Sequence, residues 1–73
     1  MIEDKAIAKQ IGELMLDFGG RLDSSVALVQ EKCTLAEFEE YRDAVGKIMG
    51  YMLLDIMNPI YLRHPDLKPD DLE

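Results

Sequence analysis

Two helical patterns meet with almost no residue between them, and this feature constrains the fold of the chain most strongly. From Ile7 to Cys33, large apolar residues recur in steps of three or four, close to the period of an α-helix. A second apolar pattern begins at Leu35. Because helices joined by so short a connection must fold back on each other, the sequence predicts an all-α, antiparallel hairpin of about residues 3–32 and 35–57.

Local signals mark both ends of the second predicted helix. Thr34 and Glu37 have the spacing of a capping box, in which each side chain accepts a hydrogen bond from the other residue's free backbone amide. Near the other end stands Pro59, which lacks a backbone donor and is tolerated best in the first turn of a helix. We therefore expect the second helix to stop or kink near Met57 and a short helical turn to follow.

Residues 1–63 are predicted to form one helical domain, and residues 64–73 an extended acidic tail. The tail contains two prolines and four acidic residues, a composition typical of segments that do not pack. Its histidine, His64, has no second histidine to form a site and is expected to be solvated. Cys33, at the turn between the helices, is expected to be a small apolar filler.

Charge and residue inventory argue against several classes of function. The formal net charge is −7, and an acidic surface repels nucleic acid and anionic lipid. One histidine and one cysteine are too few for a usual zinc site. The N-terminal residues lack the pattern of a signal peptide, and no apolar run approaches the ~20 residues of a membrane span. We predict a cytoplasmic protein with no catalytic residue, metal or cofactor, and with no nucleic-acid or membrane partner.

Asp23 and Ser24 resemble the Asp-Ser attachment site of acyl carrier proteins, which are also small, acidic and helical. The resemblance covers only a few residues. A hydrophobic residue is usual in that family where Ser25 stands, and the family's long loop before the serine is missing. The departures favour a chain without a prosthetic group.

The stretch 48–57 carries a single charged residue, Asp55, and ten residues cover nearly three turns of helix. A helix that is apolar all round is normally buried all round, and so short a chain has little interior. We predict that two hairpins pack as a homodimeric four-helix bundle. The predicted interface consists of Met49, Tyr51, Met52, Leu54, Met57 and Tyr61. Alternatively, Tyr61, Leu62 and Leu67 fold back over this surface and leave a monomer.

Asp55 should need a partner in such surroundings, because a buried unpaired carboxylate is costly. A hairpin that turns near residues 33 and 34 places Asp55 close to Lys9 and Lys5, and Arg63 is a third candidate. We predict that Asp55 forms a structural ion pair that sets the register of the bundle.

Five glycines fall inside the predicted helices, each destabilising by about 1 kcal/mol relative to alanine. In the hairpin register, Gly19, Gly20, Gly46 and Gly50 cluster at one level. We predict a close crossing of helix backbones there, within or between chains. Two alternatives are exposed, merely tolerated glycines and a cleft that binds a small ligand. Because the apolar stripe keeps its phase across Gly19 and Gly20, the first helix is expected to continue through them. The alternative is that it ends at Phe18 and restarts with Asp23 or Ser24 as its cap.

These patterns favour a non-enzymatic protein–protein interaction module that acts as a homo-oligomer, such as a small regulator, adaptor or immunity-type protein. Its partners would be a second copy of itself and, in addition, another protein. The alternative is a helical bundle that binds a small molecule or an acyl chain near the glycines.

Overall fold

A computed structural model describes residues 1–69 of the chain. In order, the elements are α1 (Lys5–Lys32), α2 (Leu35–Tyr51), a π-helical segment (Met52–Met57), α3 (Asn58–Arg63) and a 3₁₀ turn (Pro65–Leu67). The stretch from α2 to α3 is helical throughout and runs antiparallel to α1, so the predicted all-α hairpin is confirmed. Within the described residues, no helix is long and apolar enough to cross a membrane.

Helix α1 begins after Asp4, whose carboxylate accepts a hydrogen bond from the Ile7 amide at 3.1 Å and so caps a free backbone donor. The helix runs without a break through Gly19 and Gly20, as predicted. Neither glycine adopts a positive φ, so neither acts as a helix terminator. The apolar periodicity, which spans both glycines, was a better guide here than glycine's low helix propensity.

The capping box at the start of α2 is also confirmed. The Thr34 hydroxyl accepts a hydrogen bond from the Glu37 amide at 3.2 Å, and the Thr34 amide donates to Glu37 Oε1 at 3.0 Å. The Thr34 hydroxyl donates to the same carboxylate oxygen at 2.9 Å. The hydrogen bond from the backbone amide, then that from the hydroxyl, lower the pKa of Glu37 by stabilising its ionised form.

The helical backbone does not stop at Met57, but its geometry changes there: the π-helical segment ends at Met57 and α3, the predicted short helical turn, follows directly to Arg63. The amide of Asn58 donates to the carbonyl of Leu53, five residues back rather than four, which is the π-helical pattern. In a regular α-helix the ring of Pro59 would collide with the carbonyl four residues earlier, that of Asp55. The wider turn directly before Pro59 lets the helix pass the proline without ending.

The π-helical segment also determines which side chains face α1. At about 100° per residue, an uninterrupted α-helix would place Tyr61 about 160° around the axis from Val45. A π turn accommodates one more residue than an α turn, so the stretch from Val45 to Tyr61 rotates as if it were one residue shorter. The angle between the two side chains is then about 60°. As a result Val45, Met57 and Tyr61, which come from three different elements, are all buried.

The interior lies at the open end of the hairpin, where the N-terminus, α3 and the 3₁₀ turn come together. Its buried residues are Ala8, Met57, Ile60 and Tyr61. The partly buried apolar residues packed around them are Ile2, Ile11, Met15, Ile56 and Leu67. At the closed end, around the α1–α2 connection, Leu28 and Leu35 are instead exposed.

The first part of the predicted extended tail is not extended. Pro65–Leu67 form a 3₁₀ turn, and the side chain of Leu67 packs against the core. His64, predicted to be solvated, is half-buried, and its Nε2 lies 2.8 Å from the carbonyl oxygen of Ile2. Both contacts tie the start of the tail to the N-terminus. The remainder of the predicted tail, residues 70–73, lies outside the described residues.

Candidate functional site

One side of the hairpin carries an apolar groove of about 500 Å³, which we call the methionine groove. Four of the five methionines in the chain line it. Its full lining is Met15, Leu16, Gly19, Gly20, Asp23, Met49, Gly50, Met52, Leu53 and Met57. Asp23 is the one charged residue among these. Methionine side chains are flexible and polarisable, so a groove of this composition can adapt its shape to an apolar occupant.

The glycines of this region do not bring the two helices of one chain into close contact. A Cβ atom built on Gly19 would lie 3.8 Å from Cε of Met49, an ordinary contact. A Cβ atom on Gly20, Gly46 or Gly50 would meet nothing within 4 Å. Within the chain, the predicted close crossing is therefore absent, and the space beside Gly19, Gly20 and Gly50 is part of a cleft. A crossing between chains stays a prediction.

The buried glycine is instead Gly12, which lies outside the predicted cluster. It packs beside the ring of Tyr61, whose hydroxyl would lie 3.8 Å from an added Cβ, again an ordinary contact. A tyrosine on a helix leans toward the N-terminus of that helix, so its ring covers the preceding turn. The available signal was the spacing of Ala8 and Gly12, two small residues one turn apart on one face of α1.

The opposite side of the hairpin carries a second apolar surface, which we call the aromatic face. It consists of Ile7, Leu14 and Phe18 on α1 and of Tyr41, Ile48 and Tyr51 on α2. A hydrogen bond of 2.7 Å between the hydroxyls of Ser25 and Tyr41 shows that the two rows lie side by side. Residues seven apart lie two turns apart on the same face of a helix. Ser25 follows Phe18 by seven residues, and Tyr41 precedes Ile48 by seven, so Ser25 extends the row on α1 and Tyr41 belongs to the row on α2.

The residues predicted as the oligomer interface do not form one surface. Met52, Met57 and Tyr61 are buried within their own chain, each less than a tenth exposed. Met49 is half-buried in the methionine groove. Tyr51 and Leu54 are exposed, and Tyr51 belongs to the aromatic face. The prediction used α-helical spacing across 48–57, whereas the π-helical segment turns Met57, and α3 after it, toward α1.

The predicted ion pair of Asp55 is not formed with the expected cations. Asp55 is exposed, Lys5 pairs with Asp66, and Arg63 pairs with Glu3 at 2.8 Å. The hydrogen bond from Lys5 lowers the pKa of the Asp66 carboxyl. Both observed pairs are exposed and connect the N-terminal residues to the end of the chain. An exposed carboxylate needs no partner, so Asp55 does not have to set the register.

Tyr61 is the buried polar group that stands out in the described residues. Its hydroxyl is buried without a hydrogen-bond partner among residues 1–69, and burial raises its pKa. The residue also lines a second cavity of about 490 Å³, together with Lys5, Lys9, Glu13 and Asp66. A hydroxyl deprived of both water and a partner destabilises the fold. Tyr61 is therefore held by the packing of its ring.

The side chains that could carry chemistry lie apart from one another. Cys33 is exposed at the turn. The hydroxyl of Ser24 donates to the carbonyl of Gly20 at 3.1 Å, in the middle of α1 rather than after a loop as in acyl carrier proteins. Residues 1–69 contain no group of three or more histidine, cysteine or acidic side chains placed to hold a metal ion. The two apolar surfaces are thus the features of this part of the chain best suited to a function.

Helix α1 and the helical stretch that follows it provide these surfaces without any motif that names a family. Comparison of the chain with protein-family models, with curated proteins and with solved structures found no match.

Proposed function

We propose that the protein is a non-enzymatic protein–protein interaction module that acts as a homo-oligomer, in the simplest case a dimer of two hairpins. A small regulator, adaptor or immunity-type protein would work in this way. Four antiparallel helices can enclose a continuous core that two helices cannot, and two-fold symmetry is the commonest way to assemble them. The exposed cysteine Cys33 suits the reducing conditions of the cytoplasm.

The exposed area of the single chain carries this proposal. A compact monomeric protein of 8.3 kDa exposes roughly 4,600 Å² of surface. The chain exposes 5429 Å². The chain thus exposes roughly 800 Å² more than a compact monomer of its mass, and a protein–protein interface of standard size buries a comparable area on each partner. Self-association would lower the exposed area of each chain to about that of a compact monomer of the same mass.

The character of the exposed surface supports the same proposal. Large apolar side chains are exposed on both long sides of the hairpin, among them Phe18 at 46% and Tyr51 at 69%. Contiguous apolar surface of this kind is typical of interaction sites. The burial of aromatic side chains also dominates the energetics of interfaces.

Sedimentation equilibrium at micromolar concentrations tests the proposal. We expect a mass that rises with concentration to at least twice 8.3 kDa. Thermal unfolding followed by circular dichroism should show a midpoint that also rises with concentration, because dissociation is linked to unfolding. A constant mass of 8.3 kDa, together with a midpoint independent of concentration, would refute homo-oligomerisation.

The methionine groove supports a second candidate function, the binding of a small apolar molecule or an acyl chain. Its volume of about 500 Å³ lies within the range of small-molecule sites, and its lining is almost wholly apolar. Native mass spectrometry of protein purified from its own host should then show an added mass. Gly50→Leu would fill the groove and abolish the added mass. Gly46→Leu changes a residue outside the lining, so that variant should retain the added mass. The absence of any added mass from the native protein would count against this candidate.

A further inference from the structure

We infer that the aromatic face is the surface on which a second copy of this chain docks, and that the methionine groove stays open in the resulting dimer. The inference rests on the proposed homo-oligomeric function and specifies which of the two apolar sides is the interface.

The aromatic face has more apolar surface to bury than the groove side. Its exposed fractions are 45% for Ile7, 53% for Leu14, 46% for Phe18, 45% for Ile48 and 69% for Tyr51. On the groove side, Met52 and Met57 are already buried within the chain. Three leucines are exposed there: Leu16 and Leu53, each 40%, and Leu54, one turn after Gly50, at 64%. Since the free energy of association comes from apolar area removed from water, docking on the aromatic face removes more of it.

Two polar side chains of the aromatic face already have partners. The hydroxyls of Ser25 and Tyr41 are partly buried and bond to each other, so a partner that covers them would leave neither unsatisfied. On the groove side, Asp23 would lose contact with water if a second hairpin covered it, and an unpaired carboxylate is costly to bury. The charge of Asp23 therefore opposes docking there.

The shapes of the two sides also favour the aromatic face as the interface. In a two-fold dimer each surface packs against its own copy. Two methionine grooves placed face to face would combine two recesses of about 500 Å³, each with three glycines in its lining. Protein interiors are close-packed and contain few voids larger than a water molecule. The aromatic face instead presents rows of large side chains spaced by seven and four residues on α1 and by seven and three on α2, spacings by which helices interdigitate.

A pair of substitutions on α1 tests the inference. Leu14→Glu places a carboxylate on the aromatic face, and Leu16→Glu places the same group beside the methionine groove. Both leucines are exposed in the single chain, so both variants should retain the helical circular dichroism of the parent. We expect Leu14→Glu to weaken dimerisation by about tenfold or more in sedimentation equilibrium, because a charge would be buried unpaired. Leu16→Glu should change the dissociation constant by less than about twofold, since its carboxylate would stay in water.

The outcomes separate this inference from the proposed function. A parent chain that is monomeric refutes the homo-oligomeric function itself. If the parent associates, then weakening by Leu16→Glu and not by Leu14→Glu, equal weakening by both, or no effect of either overturns the choice of face. If Leu14→Glu loses its helical signal, Tyr51→Glu on α2 replaces it, because the Tyr51 side chain is the most exposed on the face. The same tenfold criterion then applies.

Discussion

The open and closed ends of the hairpin are held by different kinds of interaction. At the open end, Ala8 from the start of α1 packs with Ile60 and Tyr61 from α3, so the contacts join the two ends of the chain. At the closed end, the capping box joins Thr34 to Glu37 within one turn, and apolar side chains such as Leu35 remain exposed. The open end thus depends on contacts between residues far apart in the sequence, and the closed end on contacts between near neighbours.

The difference shows what a chain of 73 residues can achieve alone. Long-range apolar burial is concentrated where a third segment, the 3₁₀ turn with Leu67, covers the two helices. Where only two helices meet, they shield little from water, because each has a single neighbour. The closed end is therefore expected to respond to local changes in helix capping and the open end to changes in packing.

The largest expected effect comes from emptying the core at the open end. Ile60 is fully buried, so Ile60→Ala removes buried apolar surface and leaves a cavity. We expect it to lower the free energy of unfolding by about 2–5 kcal/mol, measured by urea denaturation followed by circular dichroism. Leu62→Ala, in the same helix but 82% exposed, should change it by no more than about 0.5 kcal/mol. Similar losses in both variants would mean that the core does not lie at the open end.

A second comparison places leucine at two glycines. Gly12→Leu would force a large side chain against the ring of Tyr61, and overpacking of this kind costs about 1–3 kcal/mol. Gly46→Leu meets open space, so it should stabilise the protein by up to about 1 kcal/mol through its better helix propensity. Thermal and urea unfolding of the two variants should therefore shift in opposite directions. Destabilisation by Gly46→Leu would instead reveal a close contact with another chain at that position.

At the closed end, the capping box supplies a smaller and pH-dependent contribution. Thr34→Ala should lower the free energy of unfolding by about 1 kcal/mol. Because the pKa of Glu37 is lowered in the folded chain, its contribution is present above the ordinary pKa of a glutamate and is lost as the pH falls through the lowered value. Glu37→Gln keeps the capping geometry but cannot ionise, so unfolding measured over a series of acidic pH values should depend less steeply on pH. An unchanged pH dependence would contradict the role of Glu37.

The smallest effect is expected from the ion pair of Lys5 and Asp66 at the open end. Both side chains are 59% exposed, and exposed pairs contribute between about 0 and 1 kcal/mol. Lys5→Met, which keeps most of the apolar stem, should lower the free energy of unfolding within that range, and added salt should diminish the difference. A loss well above 1 kcal/mol would indicate that the ion pair, rather than apolar packing, holds the 3₁₀ turn in place.

Local sequence signals predicted the features that depend on near neighbours. The continuity of α1 follows from apolar spacing, and the start of α2 follows from Thr34 and Glu37, because both are determined within one or two turns. The hairpin follows in turn from the short connection between them. These parts of the fold needed no knowledge of distant contacts.

The phase of the second helix could not be predicted in the same way. Side chains in 52–57 are compatible with either α or π geometry, and the choice depends on Pro59 and on the packing of Tyr61 against Gly12. The prediction used α-helical spacing over 48–57 and therefore placed Met57 at the interface, whereas it placed Asp55 beside Lys9 from the register of the hairpin. That Val45 and Tyr61 face the same neighbour, which an uninterrupted α-helix would not allow, is evident only from the folded chain.

The surplus residue in the π-helical segment gives the chain an uneven tolerance to changes in length. In related chains without a proline at position 59, loss of one residue from this segment would convert the wide turn to an ordinary one and leave Val45 and Ile60 facing α1 as before. Loss of one residue from the middle of α2 would rotate everything after it by about 100° and turn part of the core toward water. Among related chains, single-residue length differences in the second helix should therefore accumulate between residues 52 and 57.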